Sequence, residues 1–120
     1  MKFPRFETAR AKAGATLLDL IRPGWANEID VGQLKLESGR SCVLGQLFGW
    51  YSDGVEKLFA IRIGTPDKSG FLDRLDAAAA DGGFCIPQDI FARASVKAVG
   101  RLYDNLTRAW KREIARRVSA

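Results

Sequence analysis

The side chains with the chemistry to act as nucleophiles, acids or ligands are two cysteines, Cys42 and Cys85, and three loose groups of carboxylates. Those groups are Glu28 with Asp30, Asp53 with Glu56, and Asp73 with Asp76. Histidine is absent. Imidazole general bases, Ser-His-Asp and Cys-His hydrolases and histidine-ligated metals are thereby excluded. Two cysteines 43 residues apart match no metal motif and cannot staple a disulfide scaffold. Buried thiols are the expectation, with a single bridge between them as the alternative. Asp53 and Glu56 are spaced as a variant capping box, Asp73 and Asp76 read as solvated helix surface, and Glu28 with Asp30 read as caps of the next turn. Neither GxGxxG nor GxxxxGK[ST] occurs, so no phosphate-cradling loop is expected. The expectation is a chain with no catalytic residues, no metal and no cofactor, not an enzyme.

Binding is the remaining chemistry, and charge points to where it could lie. The net charge is +5 and uneven: residues 1–22 and 101–120 are strongly basic, while the middle of the chain is slightly acidic. At 100° per residue, Arg101, Asn105, Arg108, Arg112 and Arg116 fall on one side of a C-terminal helix, opposite Leu106 and Trp110. Like charges four residues apart repel by a few tenths of a kcal/mol. An anionic partner, phosphate backbone or acidic protein, would account for the stripe. The competing reading is a solvated face favoured by the helix dipole and neutralised by Asp104 with Arg108 and Glu113 with Arg117. Aromatic stacking platforms would strengthen a nucleic-acid reading, but Tyr103 and Trp110 point to the core side. Trp50 and Tyr51 sit in a glycine-flanked turn and, being adjacent, do not both face inward readily. One of them is a candidate protein-interface anchor.

These surfaces need elements to hold them. Phe6, Ala13, Leu17, Leu20 and Ile21 share a face, which predicts a helix from Glu7 to Ile21 stopped by Pro23 and Gly24. Trp25 and Ile29 predict one buried turn, and Gln33–Glu37 alternates as a short extended stretch or a loop. Ser41 is the expected cap of a buried helix through Phe48. Gly45 and Gly49, a GxxxG pair, are expected to let backbones approach inside the core. Asp53 is expected to open a short helix through Phe59, and Thr65-Pro66-Asp67 a longer one to about Ala80, ended by Gly82 and Gly83. Ile61–Ile63 and Phe84–Ile86 are an optional β-hairpin, and Pro87–Ala92 a helical turn. Val99, Leu102, Tyr103, Leu106, Trp110 and Ile114 define a long amphipathic helix from Ser95 or Val96 to about Arg117.

At 120 residues and 47% apolar composition the chain suits one domain with one core. No apolar run exceeds four residues, against roughly 18–20 for a membrane span. The fold class expected is mainly α: a compact bundle of several short helices with a long amphipathic C-terminal helix and at most one short β-hairpin. The charged N-terminal residues lack the apolar core of a secretory signal, and the expectation is a cytoplasmic chain.

Arg22-Pro23-Gly24-Trp25, Ile29-Asp30, the segment CVLGQLFG from Cys42 to Gly49, then Tyr51 and Gly54, with a looser likeness over Leu106–Ile114, resemble a group of small uncharacterised proteins encoded by phages of actinobacteria. The likeness covers about a third of the chain. It implies a phage or prophage product acting in the cytoplasm of a bacterial host, and it carries no activity. The function expected is a non-enzymatic accessory protein that binds a host or phage macromolecule, most plausibly a protein. Nucleic-acid binding through the basic stripe, helped by Lys2, Arg5, Arg10 and Lys12, is the alternative.

Overall fold

Trp110 is the point from which the architecture of the computed structural model is best understood. The structure describes residues 6–60, 79–86 and 93–118. The long C-terminal helix, Val96–Val118, starts where Ser95 Oγ accepts a bond from the Ala98 N–H at 3.1 Å, a side-chain cap for an otherwise orphaned donor. Its stripe turns inward as expected. Leu106, Trp110 and Ile114 are buried, joined by Ala109 and Glu113. Helix α1, Phe6–Ile21, packs against this C-terminal helix.

The face that α1 buries is not the one its larger apolar residues predict. Leu20 is 74% exposed and Ile21 42%, and Ala13 lies outside too. Buried instead are Glu7, Ala11, Gly14, Ala15 and Leu18. The reason is steric. An added Cβ on Gly14 would stand 2.0 Å from the Gly82 oxygen and 2.8 Å from Trp110 Cζ2. Small residues let α1 lie directly on the indole, and this close fit outweighs burial of the bulkier face. Glu7, in the first turn of α1, sits where the helix dipole favours a carboxylate.

Around Trp110 the remaining core assembles. Its Nε1 donates to the Gly83 oxygen at 2.7 Å. Phe84 lies tilted against it at 5.1 Å, and Trp25 meets it edge-on at 5.7 Å and 84°, the geometry that aromatic quadrupoles favour. Residues 79–81 are helical and 82–83 form a turn, as the Gly82-Gly83 stop implied. Arg10 reaches this turn, donating to the Ala80 oxygen at 2.7 Å.

The 3-10 turn Trp25–Glu28 buries Trp25, Ala26 and then Ile29. In the loop that follows, Leu34 and Leu36 are buried while Gln33, Lys35 and Glu37 are exposed. The alternation is real, yet the backbone is turns rather than strand. It is tied down from outside: the Leu36 N–H donates to Thr107 Oγ1 at 3.1 Å, and Gln46 Nε2 donates to the Asp30 and Ser41 oxygens at 3.1 and 3.0 Å. Gln46 Oε1 also accepts from the Asp30 N–H.

Helix α2, Val43–Phe48, is buried nearly all round as its composition demands. Its cap is Cys42 rather than Ser41: the Cys42 Sγ accepts from the Gly45 N–H at 3.3 Å. Gly45 does permit a close approach, since a Cβ there would fall 2.3 Å from the Gly39 oxygen. Gly49 serves differently, ending α2 at φ 98°, where a side chain would be strained. Helix α3, Tyr51–Val55, begins at Trp50. Asp53 is therefore inside the helix, not its cap, and the chain continues as a π-helical turn, Glu56–Ala60.

The protein is thus mainly helical, with several short helices set against one long C-terminal helix, hereafter α4. Of the optional hairpin, residues 84–86 are bend and irregular chain, while Ile61–Ile63 lies outside the described residues. So do the expected helix start at Thr65, the Asp73 and Asp76 pair and the turn over Pro87–Ala92. Among the described residues, no helix is long and apolar enough to cross a membrane.

Candidate functional site

Among the described residues, Glu28, Asp30 and Cys42 are committed to structure. Glu28 accepts two bonds from Arg22, at 3.0 and 2.8 Å, and the Arg22 guanidinium holds the Glu28 carboxyl below its usual range. Asp30 Oδ1 accepts from the Gly32 N–H at 3.0 Å, closing an Asx turn. Among the described residues, no three of the acidic and thiol side chains gather as a metal site would require. Cys42 and Cys85 are not joined in a disulfide. Burial pushes the Cys42 thiol up, away from the thiolate a nucleophile needs. Burial likewise raises the Tyr103 phenol, opposed by the backbone of Ile86.

The strongest polar cluster contains the Glu113–Arg117 pair that the spacing anticipated, joined by Asp19 and Trp25, which it did not. Arg117 donates to both oxygens of Asp19, at 2.9–3.2 Å, and to Glu113 Oε1 at 3.0 Å. Asp19 Oδ1 also accepts from Trp25 Nε1 at 2.8 Å, and the Arg117 guanidinium lies over the Trp25 ring at 5.6 Å. This latch ties the end of α1 to the end of α4 through Trp25. Hydrogen bonding from Arg117, with a smaller contribution from Trp25 and against a cost of burial, lowers the Asp19 pKa. A carboxyl that titrates lower when folded adds stability above its unfolded pKa of about 3.9, lost as pH falls through the lower folded value. Asp19 is half exposed, so Asp19→Asn is expected to cost about 1 kcal/mol at pH 7. In urea titrations monitored by circular dichroism, that difference from wild type should shrink below about pH 3.9.

The expected basic stripe divides in two. Arg101, Arg108 and Arg112 are exposed, and none of them pairs with a carboxylate among the described residues. Arg108 bonds Asn105 rather than Asp104, and Arg112 donates weakly to Thr8 Oγ1 at 3.4 Å. Arg116 instead pairs with buried Glu113 at 3.3 Å, so it is a neutralised member of the stripe. Arg101, Asn105 and Arg108 line a depression of about 470 Å³ with Leu102 and Asp104. From Arg101 to Arg112 the stripe runs about 17 Å along α4.

The adjacent aromatics turn opposite ways. Tyr51 is half-buried against the core, and its N–H donates to the Gly39 oxygen at 2.8 Å. Trp50 faces outward at 48% exposure. Its ring packs over Gly39, 3.4 Å from where a Cβ would be, and Arg40 covers it at 4.4 Å. Trp25, expected in one buried turn with Ile29, is 1% exposed and belongs to the core. Arg40 is the functional candidate that spacing missed, because nothing in the sequence brings it to Trp50 except the fold of the 38–42 turn.

Comparison with protein-family models, with curated proteins and with solved structures finds no match to this chain. The case for function therefore stands on these surfaces.

Proposed function

We propose that this chain is a non-enzymatic accessory protein, of phage or prophage origin and acting in a bacterial cytoplasm, that binds a host or phage protein. The observation that carries this reading is Trp50. A tryptophan left half in solvent forgoes much of the burial worth roughly 25 cal/mol per Å². Here the ring is nevertheless held in place by Arg40 on one side and Gly39 beneath. An aromatic and an arginine, pre-ordered at the surface, are the residue types that dominate protein interfaces, because little side-chain entropy is lost on binding.

Tagged protein used as bait in a bacterial lysate tests this by difference. Trp50→Ala and Arg40→Ala are expected to lose a partner band that the wild type retains, by about tenfold or more. The triple reversal Arg101→Glu, Arg108→Glu, Arg112→Glu is expected to keep it.

The second reading, nucleic-acid binding, is favoured by Arg101, Arg108 and Arg112, which pair with no carboxylate among the described residues. It entails salt-steep binding of duplex or single-stranded DNA in fluorescence anisotropy, abolished by the triple reversal and spared by Trp50→Ala. That pattern would exchange the two readings.

A further inference from the structure

Residues 26–32 and the last two turns of α4 enclose a groove of about 530 Å³ that the binding surfaces above do not use. Its walls are apolar: Ile29 and Val31 on one side, Ile114, Ala115 and Val118 on the other. Val31 and Val118 are 44% and 50% exposed, so apolar side chains on both walls reach solvent. Among the described residues two polar side chains line it, the Asn27 amide and the Lys111 ammonium. Lys111 pairs with no carboxylate among the described residues.

We propose that this groove binds a medium-chain aliphatic carboxylate laid along α4, its head at Lys111 and its tail at Val118. Charge complementarity selects the head: Lys111 is the one charged residue among the described lining residues, and it is cationic. Its place at the upstream end of the helical wall keeps the anion away from the helix C-terminus, where the dipole repels negative charge. The volume lies in the range of small-ligand pockets, which combine apolar walls with few polar anchors. Length argues the same way. Lys111 to Val118 spans about 11 Å, enough for an octanoate or decanoate chain and short for the face of a docking helix. A second copy of the chain is disfavoured, because a symmetric pairing through this groove would bring the Lys111 of each copy to the same interface. The proposal is independent of the protein-binding reading.

Two-dimensional ¹H–¹⁵N spectra of the full chain, titrated with decanoate below micellar concentration, test it. Saturable shifts are expected at Ile29, Val31, Gly32, Lys111, Ala115 and Val118. Lys111→Glu is expected to weaken binding by about tenfold, and Ala115→Trp, which fills the groove, to remove it. Arg101→Glu with Arg108→Glu should leave it unchanged. Spectra of the unliganded variants report whether each folds, and if Ala115→Trp does not, the surface change Lys111→Glu decides. The proposal is overturned by any of three results: no saturable shift, shifts centred on other residues, or decyltrimethylammonium binding as tightly as decanoate. Sedimentation showing self-association through these same residues without ligand would assign the groove to a second copy and overturn it equally.

Discussion

Trp110→Ala is expected to destabilise the protein by about 3–5 kcal/mol, the range for emptying a buried tryptophan site. That is a large share of the roughly 5–15 kcal/mol by which small domains are stable. Three losses combine. The ring is fully buried, so its removal opens a cavity between α1, the 82–83 turn and Trp25. The edge-on contact with Trp25 and the tilted contact with Phe84 vanish together. The Gly83 oxygen, bonded to Nε1 at 2.7 Å, is left buried without its donor, itself a cost of about 1–3 kcal/mol. Trp110→Phe separates these contributions, because it keeps most of the packing and removes the donor. Its loss should fall between wild type and Trp110→Ala in urea titrations monitored by circular dichroism. A cost below about 1 kcal/mol for Trp110→Ala would be inconsistent with this core.

Gly14→Ala tests the same junction with a change that helix propensity alone would rate as favourable. In an open helix, Gly→Ala gains about 1 kcal/mol. At position 14 the new methyl would sit 2.0 Å from a backbone oxygen of the 82–83 turn and under 3 Å from Trp110. A backbone group cannot swing aside as a side chain can, so overpacking dominates. The net expectation is a loss of about 2–3 kcal/mol, read as a lower urea midpoint. Gly100→Ala in α4 is the matched control. Its added Cβ meets nothing within 4 Å, and it is expected to stabilise by about 0.5–1 kcal/mol. Opposite signs for two identical chemical changes would show that α1 and the turn are in contact. The same sign for both would refute the packing.

How legible this fold is in the sequence varies by element, and the reasons are physical. In α4 six apolar residues repeat at helical spacing, and five of them, Leu102, Tyr103, Leu106, Trp110 and Ile114, lie in or against the core, so periodicity alone locates the helix and its inward stripe. In α1 periodicity finds the helix and misleads about the face. Leu20 and Ile21 are bulkier than Ala11, Gly14 and Ala15, but the small residues are buried because Trp110 demands closeness rather than volume. Caps misled for a related reason. Ser41 is the better hydrogen-bonding type, yet Cys42 occupies the capping position, and the turn at Gly39 and Arg40, packed against Gly45, sets which residue that is.

The binding surfaces show the same division. The cationic stripe follows from 100° per residue and is largely present, except where Glu113 draws in Arg116. That either Trp50 or Tyr51 would reach solvent follows from their adjacency. Which one does, and that Arg40 lies over it, depends on the path of the 38–42 turn. The latch of Asp19, Trp25 and Arg117 joins residues as far as 98 positions apart, a separation that no local pattern encodes. Gln46, inside the distinctive CVLGQLFG segment, spends both ends of its amide on the 30–41 loop. Part of that segment's character is therefore architectural.

Photo-crosslinking in bacterial cells addresses the central proposal most directly, with a benzoylphenylalanine placed at Ser52, exposed beside Trp50, or at Asp104, exposed between Arg101 and Arg108. If the surface around Trp50 is the protein interface, irradiation should yield a discrete protein adduct from position 52 that disappears with Arg40→Ala, and none from position 104. Adducts from position 104 with nucleic acid or protein, and none from position 52, would contradict it and move the function to the arginine stripe.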